Sequence, residues 1–381
     1  MKIAHVGPAS FYTDGMTYQD NQLAEQNVRD GHQVLYISNA AKYVDGHVVE
    51  TGYEDKILPS GVRLVRLPYQ PVLTPFISGK VRKVKGLYPL LDDFAPDVIL
   101  SHDLCYWSVL DVIRYKKDHP EVKFYADTHT AIYNSGTNWL SLHVQHRIFY
   151  RYLTQKALPY LEKVLYIGAS EADFVVEHYG VPRKMLEFYP LGGYVLPEGE
   201  HAEKRLRRRN ELGIGEDEPL FVHSGKLDAQ KRTKELLEAF AAVPELKAKL
   251  AVIGVIPETE RPALEPLMEA DNRVVYLGWK QSEELVEYLC ACDLYCQPGS
   301  VSATMQNAVC CGCPVMSYPH LPYRKDLDFG NILWVKTRED MEDTFRNLAD
   351  RSIDLQVLRA GSEQCARQLL DYRALAARLY R

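Results

Sequence analysis

The stretch from Gln297 to Met316 places several hydroxyl groups at the predicted start of a helix. It reads as the end of a buried strand, a tight turn, a helix that Ser300 or Ser302 can cap, and a second short strand. The first turn of a helix presents unpaired N–H groups and the positive end of the helix dipole, which together favour anions. Because the hydroxyls of Ser300, Ser302 and Thr304 lie on that turn, the stretch predicts a seat for nucleotide phosphates. An ordinary α/β crossover would show the same pattern.

Two other clusters of ionisable side chains follow predicted strands. One comprises His102 and Asp103, and the other comprises Asp127 and His129. The carboxyl ends of parallel strands meet at one edge of a sheet, where such folds bind ligands. We therefore expect both clusters to face the same crevice, although either histidine alone fits a structural role equally well.

Six of the eight cysteines lie between Cys290 and Cys313, and Cys310 and Cys313 form a C-x-x-C pattern. A zinc or redox site is one interpretation, but neither a second C-x-x-C nor a histidine-rich segment accompanies the pattern. The positions suit small apolar side chains on a strand and a helix face, so they favour core packing. Reduced thiols in turn favour the cytoplasm.

The chain has 381 residues, of which 46% are hydrophobic and 25% are charged, as expected for a globular protein of two domains. Its formal net charge of −6 argues against a protein that binds nucleic-acid backbones. Since the sequence shows no charged-then-apolar leader and no apolar run of about eighteen residues, we expect neither a secreted nor a membrane-spanning protein.

Two basic runs need an explanation. The run at 204–209 falls on a short predicted helix, and a solvated helix face explains it better than a nucleic-acid patch. The second run, Lys80, Arg82, Lys83 and Lys85, lies between apolar stretches. It fits a peripheral contact with anionic lipid at the inner face of a membrane, or an amphipathic helix packed on the first sheet.

Two alternations of strands and helices position these residues. The first begins with the strand Lys2–Gly7, a loop and a helix at about 16–30, and its later strands are predicted at 33–38, 62–67, 97–101, 122–126 and 164–167. The second has strands at 220–223, 250–254, 274–277, 294–296 and 315–317. The alternation predicts an α/β fold with two doubly wound, parallel-sheet, Rossmann-like domains facing across a cleft.

The domain boundaries follow from a change in composition. Between Leu191 and Glu203 the periodicity is lost, and Gly, Pro and charged residues accumulate as in a linker. The predicted organisation is an N-terminal domain at 1–192, a linker at 193–203, a C-terminal domain at 204–360 and a final helix at 361–381. The amphipathic pattern of that helix fits packing on either domain.

Several short motifs occur in order along the chain. They are Arg29 to Val34, Ala169 to Glu171, Tyr189 to Gly192, Ser224 to Lys226 with Lys231, Cys292 to Leu294, and Cys311 to Val315. In order and spacing they resemble the motifs of the retaining nucleotide-sugar glycosyltransferases of family 4, which have the GT-B architecture. The resemblance covers nearly the whole chain. It implies an enzyme that moves a sugar from a nucleotide-sugar donor to a glycan, lipid-linked or small-molecule acceptor, as in polysaccharide biosynthesis.

The resemblance also assigns residues to the reaction. Lys226 and Lys231 would neutralise the donor diphosphate, although the family more often has arginine at the first position, and His129 would lie against the donor sugar. The implied donor-binding residues are Gly15, Gly225, Trp279, Gly299, Ser300, Ser302, Ala303, Thr304 and Asn307. The implied acceptor-binding residues of the N-terminal domain are His102, Asp103, Asp127 and Tyr133.

The family's reaction is thought to proceed by same-face attack, in which the leaving phosphate takes the proton of the acceptor. The resemblance therefore implies retention of configuration, no protein base, no metal and no cofactor. We treat Asp326 and Asp328, which look like a metal-binding pair, as a coincidence.

One departure from the family pattern leaves alternatives open. The family typically has two glutamates eight positions apart, and the matching positions here are Gly299 and Asn307. Asn307 can still hydrogen-bond a ribose, whereas Gly299 offers no side chain. A catalytically silent GT-B subunit that binds a partner transferase or a glycan is therefore the second hypothesis. A nucleotide-sugar epimerase that uses Asp103, Asp127 and His129 is the third.

Overall fold

The computed structural model describes residues 1–14, 18–44, 47–132, 134–136, 138–215, 218–300, 302–319 and 326–380. The chain forms two units, one comprising Met1–Pro190 with Leu375–Arg381 and the other comprising Leu191–Ala374. The end of the chain thus belongs to the N-terminal unit, a point that the amphipathic pattern of the last helix left open.

The N-terminal unit is built on a sheet of eight strands. In chain order its strands are β1 (Lys2–Gly7), β2 (Gln33–Asn39), β3 (Ala41–Val44), β4 (His47–Glu50), β5 (Glu54–Ile57), β6 (Arg63–Leu67), β7 (Val98–His102), β8 (Lys123–Thr128), β9 (Val164–Tyr166) and β10 (Leu186–Phe188). β3 and β4 form a separate antiparallel hairpin. The others form one sheet in the order β10-β9-β8-β7-β1-β2-β6-β5, in which β5 pairs antiparallel and the rest pair parallel.

Helices connect these strands and cover the sheet. They are α1 (Gln19–Arg29), α2 (Pro75–Val81), α3 (Leu87–Phe94), α4 (Val109–Asp118), α5 (Arg151–Ala157) and α6 (Ala169–Phe174). A π-helix at Ser141–Tyr150 runs directly into α5, and a second at Val175–Tyr179 continues α6. Because helices pack on a parallel sheet, β1, β7 and β8 are almost entirely buried and read as nearly continuous apolar runs.

The C-terminal unit repeats this plan with six parallel strands. They are β11 (Leu220–Lys226), β12 (Lys249–Val255), β13 (Val274–Gly278), β14 (Leu294–Gln297), β15 (Val315–Ser317) and β16 (Ile332–Trp334), in the order β13-β12-β11-β14-β15-β16. Its helices are α7 (Glu198–Glu211), α8 (Thr233–Ala241), α9 (Arg261–Ala270), α10 (Ser282–Ala291), α11 (Ala303–Cys310), α12 (Arg338–Ala349) and α13 (Leu355–Cys365), and α14 (Tyr372–Ala377) spans the boundary between the units.

Both sheets have a topological switch point, where the chain stops adding strands on one side and starts on the other. In the first sheet the switch lies between β1 and β7, and in the second it lies between β11 and β14. Loops at the carboxyl ends of the two strands that flank such a point diverge to opposite faces and leave a crevice for ligands. The predicted site residues can therefore be judged by their distance from these two points.

The basic run at 204–209 lies on α7, which packs against α10 and the start of β14. Arg205 donates to Asp293 at 2.7 Å, and the buried Arg209 donates to the other oxygen of this carboxylate at 3.0 Å. The two remaining arginines of the run pair with Glu287. The prediction of a solvated helix face is therefore wrong for Arg205 and Arg209, because these charges fasten α7 to the sheet.

All eight cysteines are buried free thiols, as core packing predicts. Burial raises the pKa of the Cys296 thiol well above its usual range, so at neutral pH it stays protonated and behaves as a small apolar side chain. None of the described helices has both the length and the apolar run that crossing a bilayer requires.

We expect Asp293→Ala to lower the free energy of unfolding of the C-terminal unit by about 3–5 kcal/mol, because it leaves the buried guanidinium group of Arg209 without its counter-charge. The carboxylate also accepts from the N–H of Leu220 at 2.8 Å, so the start of β11 loses a partner as well. Urea unfolding of the full chain, followed by circular dichroism, measures the change. The exposed Glu269 is the matched control, and Glu269→Ala should change stability by no more than about 0.5 kcal/mol. Equal effects of the two substitutions would contradict this account of α7.

Candidate functional site

The turn between β14 and α11 is held by its own side chains. Gln297, the last residue of β14, donates from Nε2 to the carbonyl of Ser300 at 2.8 Å and accepts from the hydroxyl of Ser302 at 3.0 Å. Ser302 is the N-cap residue of α11, but its hydroxyl is used in this contact and forms no hydrogen bond to the first turn. The first amides of α11 are therefore left without a side-chain cap, as an anion site at a helix start requires.

Lys231 reaches this turn from the β11 side. It ends a short 3₁₀-helix, Ala229–Lys231, that the carboxylate of Asp228 caps at the N–H of Gln230. Its ammonium lies 3.2 Å from the carbonyl oxygen of Ser300. Burial lowers the pKa of Lys231, and the charge of Asp228 only partly offsets that effect. A buried ammonium in this position gains electrostatic stabilisation when an anion binds beside it.

Gly225 and Lys226 end β11 at the same place. The side chain of Lys231 crosses over Gly225 so closely that a Cβ at this residue would lie 2.9 Å from Cε of the lysine, and the φ of +136° also favours glycine. Lys226 follows with an exposed side chain. The structure thus brings Gly225, Lys231, Ser300 and the start of α11 together at the β11/β14 switch point, with Lys226 beside them in the chain.

Gly299 lies in a turn that has no room for a side chain. A Cβ at this residue would lie 2.1 Å from the carbonyl oxygen of Gln230 and 2.6 Å from the carbonyl carbon of Lys231. Both are backbone atoms, so no side chain of any kind fits without moving the turn. Asn307, which the sequence resemblance matches to the second glutamate, is half-buried one turn into α11.

Three other predicted donor-side or acceptor-side residues lie away from this turn or cannot be placed. Trp279 follows β13, which β12 separates from β11, and its side chain is 60% exposed. Gly15 and Tyr133 lie outside the described residues. The assignment of all three stays a prediction.

In the N-terminal unit the two predicted polar clusters meet at the ends of β7 and β8. His102 pairs in register with Asp127, and its Nδ1 lies 2.6 Å from Oδ2 of that carboxylate. The other oxygen of Asp127 accepts from the N–H of Asp103 at 3.0 Å. Asp103 itself adopts the left-handed region (φ 68°) and accepts from the hydroxyl of Thr130. The expectation that both clusters share one strand edge is confirmed.

The same network contains residues that the sequence patterns did not single out. His5 on β1 places Nδ1 3.0 Å from Nε2 of His102, and its own Nε2 lies 2.8 Å from the amide oxygen of Asn27. Asp20 on α1 lies 3.6 Å from Nδ1 of His102 and accepts from the hydroxyl of Tyr36. A histidine inside the otherwise apolar strand β1, and an acid in the first turn of the helix after it, were the available signals.

One of the two buried imidazoles of the network is positively charged. Burial alone would lower the pKa of His102, but the carboxylates of Asp20 and Asp127 outweigh it and raise the pKa to about 9. Burial lowers the pKa of His5 to about 3, and the nearby charge of His102 adds to that effect. The charged His102 therefore donates to Asp127 and to Nδ1 of His5, and the neutral His5 donates to Asn27.

Asp20, His102 and Asp127 also place one potential ligand atom each within 4.8 Å of one another, the only group of this kind in the described part of the chain. A cation at this position would need the lone pair of His102 Nδ1. That nitrogen instead faces the Asp127 carboxylate at hydrogen-bond distance. The geometry therefore favours a proton over a metal ion.

His129 lies beside this network. Its Nε2 is 3.9 Å from Oδ2 of Asp127, has no hydrogen-bond partner, and belongs to a side chain that is about one third exposed. His102 and Asp127, by contrast, are buried and bonded to each other. The prediction that His102 and Asp127 contact an acceptor directly does not fit their burial. A positioning role fits this pair better, because Asp127 bonds to the backbone of Asp103.

Two protein-family models match the chain. Residues 14–192 match the model described as Glycosyltransferase Family 4, and residues 204–349 match the model described as Glycosyl transferases group 1. A comparison with curated protein sequences gives no significant match.

Solved structures share the fold over the whole chain. HepE from Anabaena in complex with UDP is 13% identical with a TM-score of 0.64, over 99% of this chain and 98% of that one. Sucrose-phosphate synthase from Thermosynechococcus elongatus is 16% identical with a TM-score of 0.64, over 99% and 96%. WaaG, a glycosyltransferase involved in lipopolysaccharide biosynthesis, is 15% identical with a TM-score of 0.59, over 99% and 98%. The solved structures show the GT-B fold, and the two family matches support a glycosyltransferase.

The buried histidines should titrate far apart. We expect the imidazole of His102 to lose its proton near pH 9, and that of His5 to stay neutral down to about pH 3. Because the pKa of His102 is raised on folding, its contribution to stability is complete below about pH 6.5 and is lost as the pH rises through 9. NMR titration of the histidine ring resonances measures both values, and His5→Gln and His102→Gln assign the signals. A His102 signal that titrates below pH 6.5 would contradict the proposed charge.

We also expect Gly299→Ala to destabilise the C-terminal unit by about 1–3 kcal/mol or more, because the added Cβ overlaps backbone atoms that cannot rotate away. Gly199→Ala on α7 is the matched control, since a Cβ at Gly199 meets no atom within 4 Å. The control should not lower the midpoint of thermal unfolding. If the two variants unfold at the same temperature, the close contact described above does not exist.

Proposed function

We propose that the protein transfers a sugar from a nucleotide-sugar donor to an acceptor hydroxyl, with retention of anomeric configuration, and that the C-terminal unit holds the donor. The observation that carries this proposal is the position of Lys231. Its buried ammonium lies 3.2 Å from the carbonyl of Ser300, beside the uncapped start of α11 and at the topological switch point of the sheet.

The chemistry of such a donor explains why cations belong at this place. Cleavage of the sugar–phosphate bond leaves negative charge on the diphosphate, so fixed positive charge and amide dipoles near the phosphates lower the barrier. In this assignment Lys231 provides one charge, the exposed Lys226 adds a second, and the first amides of α11 supply the dipoles. The HepE complexes with UDP and UDP-glucose and the starch synthase complex with ADP support a nucleotide donor.

The proposed reaction needs no side chain as a general base. The bond from the sugar C1 to the phosphate oxygen breaks, the acceptor oxygen bonds to C1 on the same face, and the acceptor proton goes to the departing phosphate oxygen. In this scheme no metal ion or cofactor takes part. The two family matches support sugar transfer itself, since the N-terminal and C-terminal models both describe glycosyltransferases.

We assign the acceptor to the N-terminal unit, at the carboxyl ends of β7 and β8. Asp103 is the side chain proposed to meet acceptor hydroxyls, while the buried pair of His102 and Asp127 positions it. A carboxylate accepts hydrogen bonds from sugar hydroxyls. The assignment of His129 to the donor sugar stays a prediction. The acceptor class is a glycan, a lipid-linked sugar or a small molecule.

One observation favours a second candidate, a silent GT-B subunit. The turn at Gly299 has no room for the glutamate that the family places there, so one donor-sugar contact cannot be made by this residue. A silent subunit would bind a nucleotide in the same seat and release no sugar.

Lys231→Met should weaken nucleoside diphosphate binding by about 10- to 100-fold, because it removes a charge-assisted hydrogen bond while its side chain still covers Gly225. A thermal-shift screen of the full chain with UDP, GDP, ADP and their sugars measures the affinity, since a ligand stabilises the folded state by mass action. Lys247→Met is the matched control, because Lys247 is an exposed lysine of the same unit. Unchanged affinity in the Lys231 variant would overturn the donor assignment.

The same panel of nucleotides and nucleotide sugars distinguishes an active transferase from a silent subunit. Sugar transfer or donor hydrolysis by the unmodified chain, lost in Lys231→Met, supports the enzyme. Nucleotide binding that depends on Lys231 without release of sugar from any donor supports the silent subunit.

A further inference from the structure

Seven large apolar side chains are exposed on two segments of the N-terminal unit. On the first segment Leu73 is 90% and Phe76 is 73% exposed. On the second, the exposed side chains are Trp139, Leu140, Val144, Ile148 and Tyr152. The last four recur at every fourth residue, so they follow one side of the helix formed by the π-helix at Ser141–Tyr150 and α5. We call these seven residues the apolar face.

Basic side chains lie among the apolar residues of the second segment. Arg147, Arg151 and Lys156 are exposed on the same helix. The ammonium of Lys156 lies 5.6 Å from the centroid of the Tyr152 ring, so charge and aromatic surface are adjacent there. Long basic side chains of this kind can cover apolar surface with their stems and keep the charge at the polar boundary.

Basic side chains also lie beside the exposed apolar residues of the first segment. The ammonium of Lys80 lies 5.6 Å from the centroid of the Phe76 ring, and Lys83 and Lys85 are exposed just beyond α2. Thr74 caps α2 at the N–H of Ile77, which fixes the start of the helix that carries Phe76.

The two segments are in contact. The hydroxyl of Tyr150 donates to the carbonyl of Lys80 at 2.8 Å, which joins the π-helix to the end of α2. The guanidinium of Arg82 lies over the ring of Tyr150 at 5.7 Å and donates to the carbonyl of Cys105 at 3.0 Å. Arg82 is therefore bonded inside the unit. It does not take part in the lipid contact that the sequence suggested for the basic run.

Acidic residues are missing from both segments. The sequence has none between Asp55 and Asp92 and none between Asp127 and Glu162, although the chain contains 51 acidic residues and has a net charge of −6. The two segments that carry the apolar face are thus basic stretches of an acidic chain. General adsorption to an anionic surface is opposed by the net charge, so binding there depends on this face.

We propose that the apolar face docks the protein onto an anionic lipid bilayer surface. Apolar and aromatic side chains interleaved with Lys and Arg are what the interface between headgroups and acyl chains accommodates, and each basic residue adds attraction to anionic lipid. A protein partner fits less well, because protein–protein interfaces are depleted in lysine. This docking is independent of whether the bound nucleotide gives up its sugar.

The test is co-sedimentation of the full chain with lipid vesicles. We expect binding to phosphatidylcholine vesicles that contain about 30% phosphatidylglycerol, little binding to phosphatidylcholine alone, and a marked loss at about 0.5 M NaCl. The double variant Ile148→Ser/Tyr152→Ser should bind the anionic vesicles at least about tenfold more weakly. Both side chains are exposed, so the variant should keep the thermal midpoint of the unmodified chain.

The control is Leu206→Ser/Val357→Ser, which removes two comparably exposed apolar side chains from the C-terminal unit and should leave vesicle binding unchanged. Absence of binding to the anionic vesicles, equal binding to both kinds of vesicle, or equal losses in the two double variants would overturn the proposal. Light scattering of the same samples tests the alternative in which a second copy of the chain covers the apolar face. Concentration-dependent self-association that Ile148→Ser/Tyr152→Ser abolishes, without vesicle binding, would identify an interface between copies and refute lipid docking.

Discussion

The close contact between the turn after β11 and the turn after β14 is the constraint on which the candidate donor site depends. Gly299 lies against the backbone of Gln230 and Lys231 with no space for a Cβ, and the N–H of Ser300 donates to the carbonyl of Gln230 at 2.8 Å. Because the two turns are joined in this way, the ammonium of Lys231 is held beside the start of α11. A lysine anchored on a flexible surface would lose side-chain entropy on binding an anion, and this arrangement reduces that cost.

The positively charged side chains at the two switch points have different surroundings. At the β1/β7 switch the charge on His102 is satisfied within the protein by Asp20 and Asp127, so it stabilises a rigid arrangement around Asp103 and His129. At the β11/β14 switch the charge on Lys231 is partly desolvated and meets a carbonyl oxygen. The first arrangement suits positioning, whereas the second suits a site that an anionic ligand completes.

Basic residues of this chain occur in three different environments. Those of α7 are bound to Asp293 and Glu287 and fasten the helix to its sheet. Arg82 is packed over Tyr150 inside the N-terminal unit. The exposed lysines and arginines of the apolar face have solvent on one side and exposed apolar side chains beside them. The three groups look alike as runs of letters, because a sequence run does not state which acidic residues the fold brings near it.

The sequence predicted the strands of both parallel sheets well, since buried parallel strands are short apolar runs that local composition reveals. It missed the hairpin of β3 and β4 and the strands β5, β10 and β16, each of which is only three or four residues long. The N-terminal polar clusters could be predicted because strand ends in a parallel sheet share an edge. The addition of His5 and Asp20 could not, because they come from a strand interior and a helix.

What the sequence alone determined is thus the doubly wound class, the two-part organisation, the buried cysteines and the strand–turn–helix unit that leads into α11, all of which follow from periodicity and from neighbours along the chain. Only the tertiary structure decided which charges are paired, why residue 299 must be glycine, and that the last seven residues return to the N-terminal unit. The physical reason is the same in each case. These features depend on contacts between atoms that are distant in sequence, and such contacts are specified by packing rather than by local pattern.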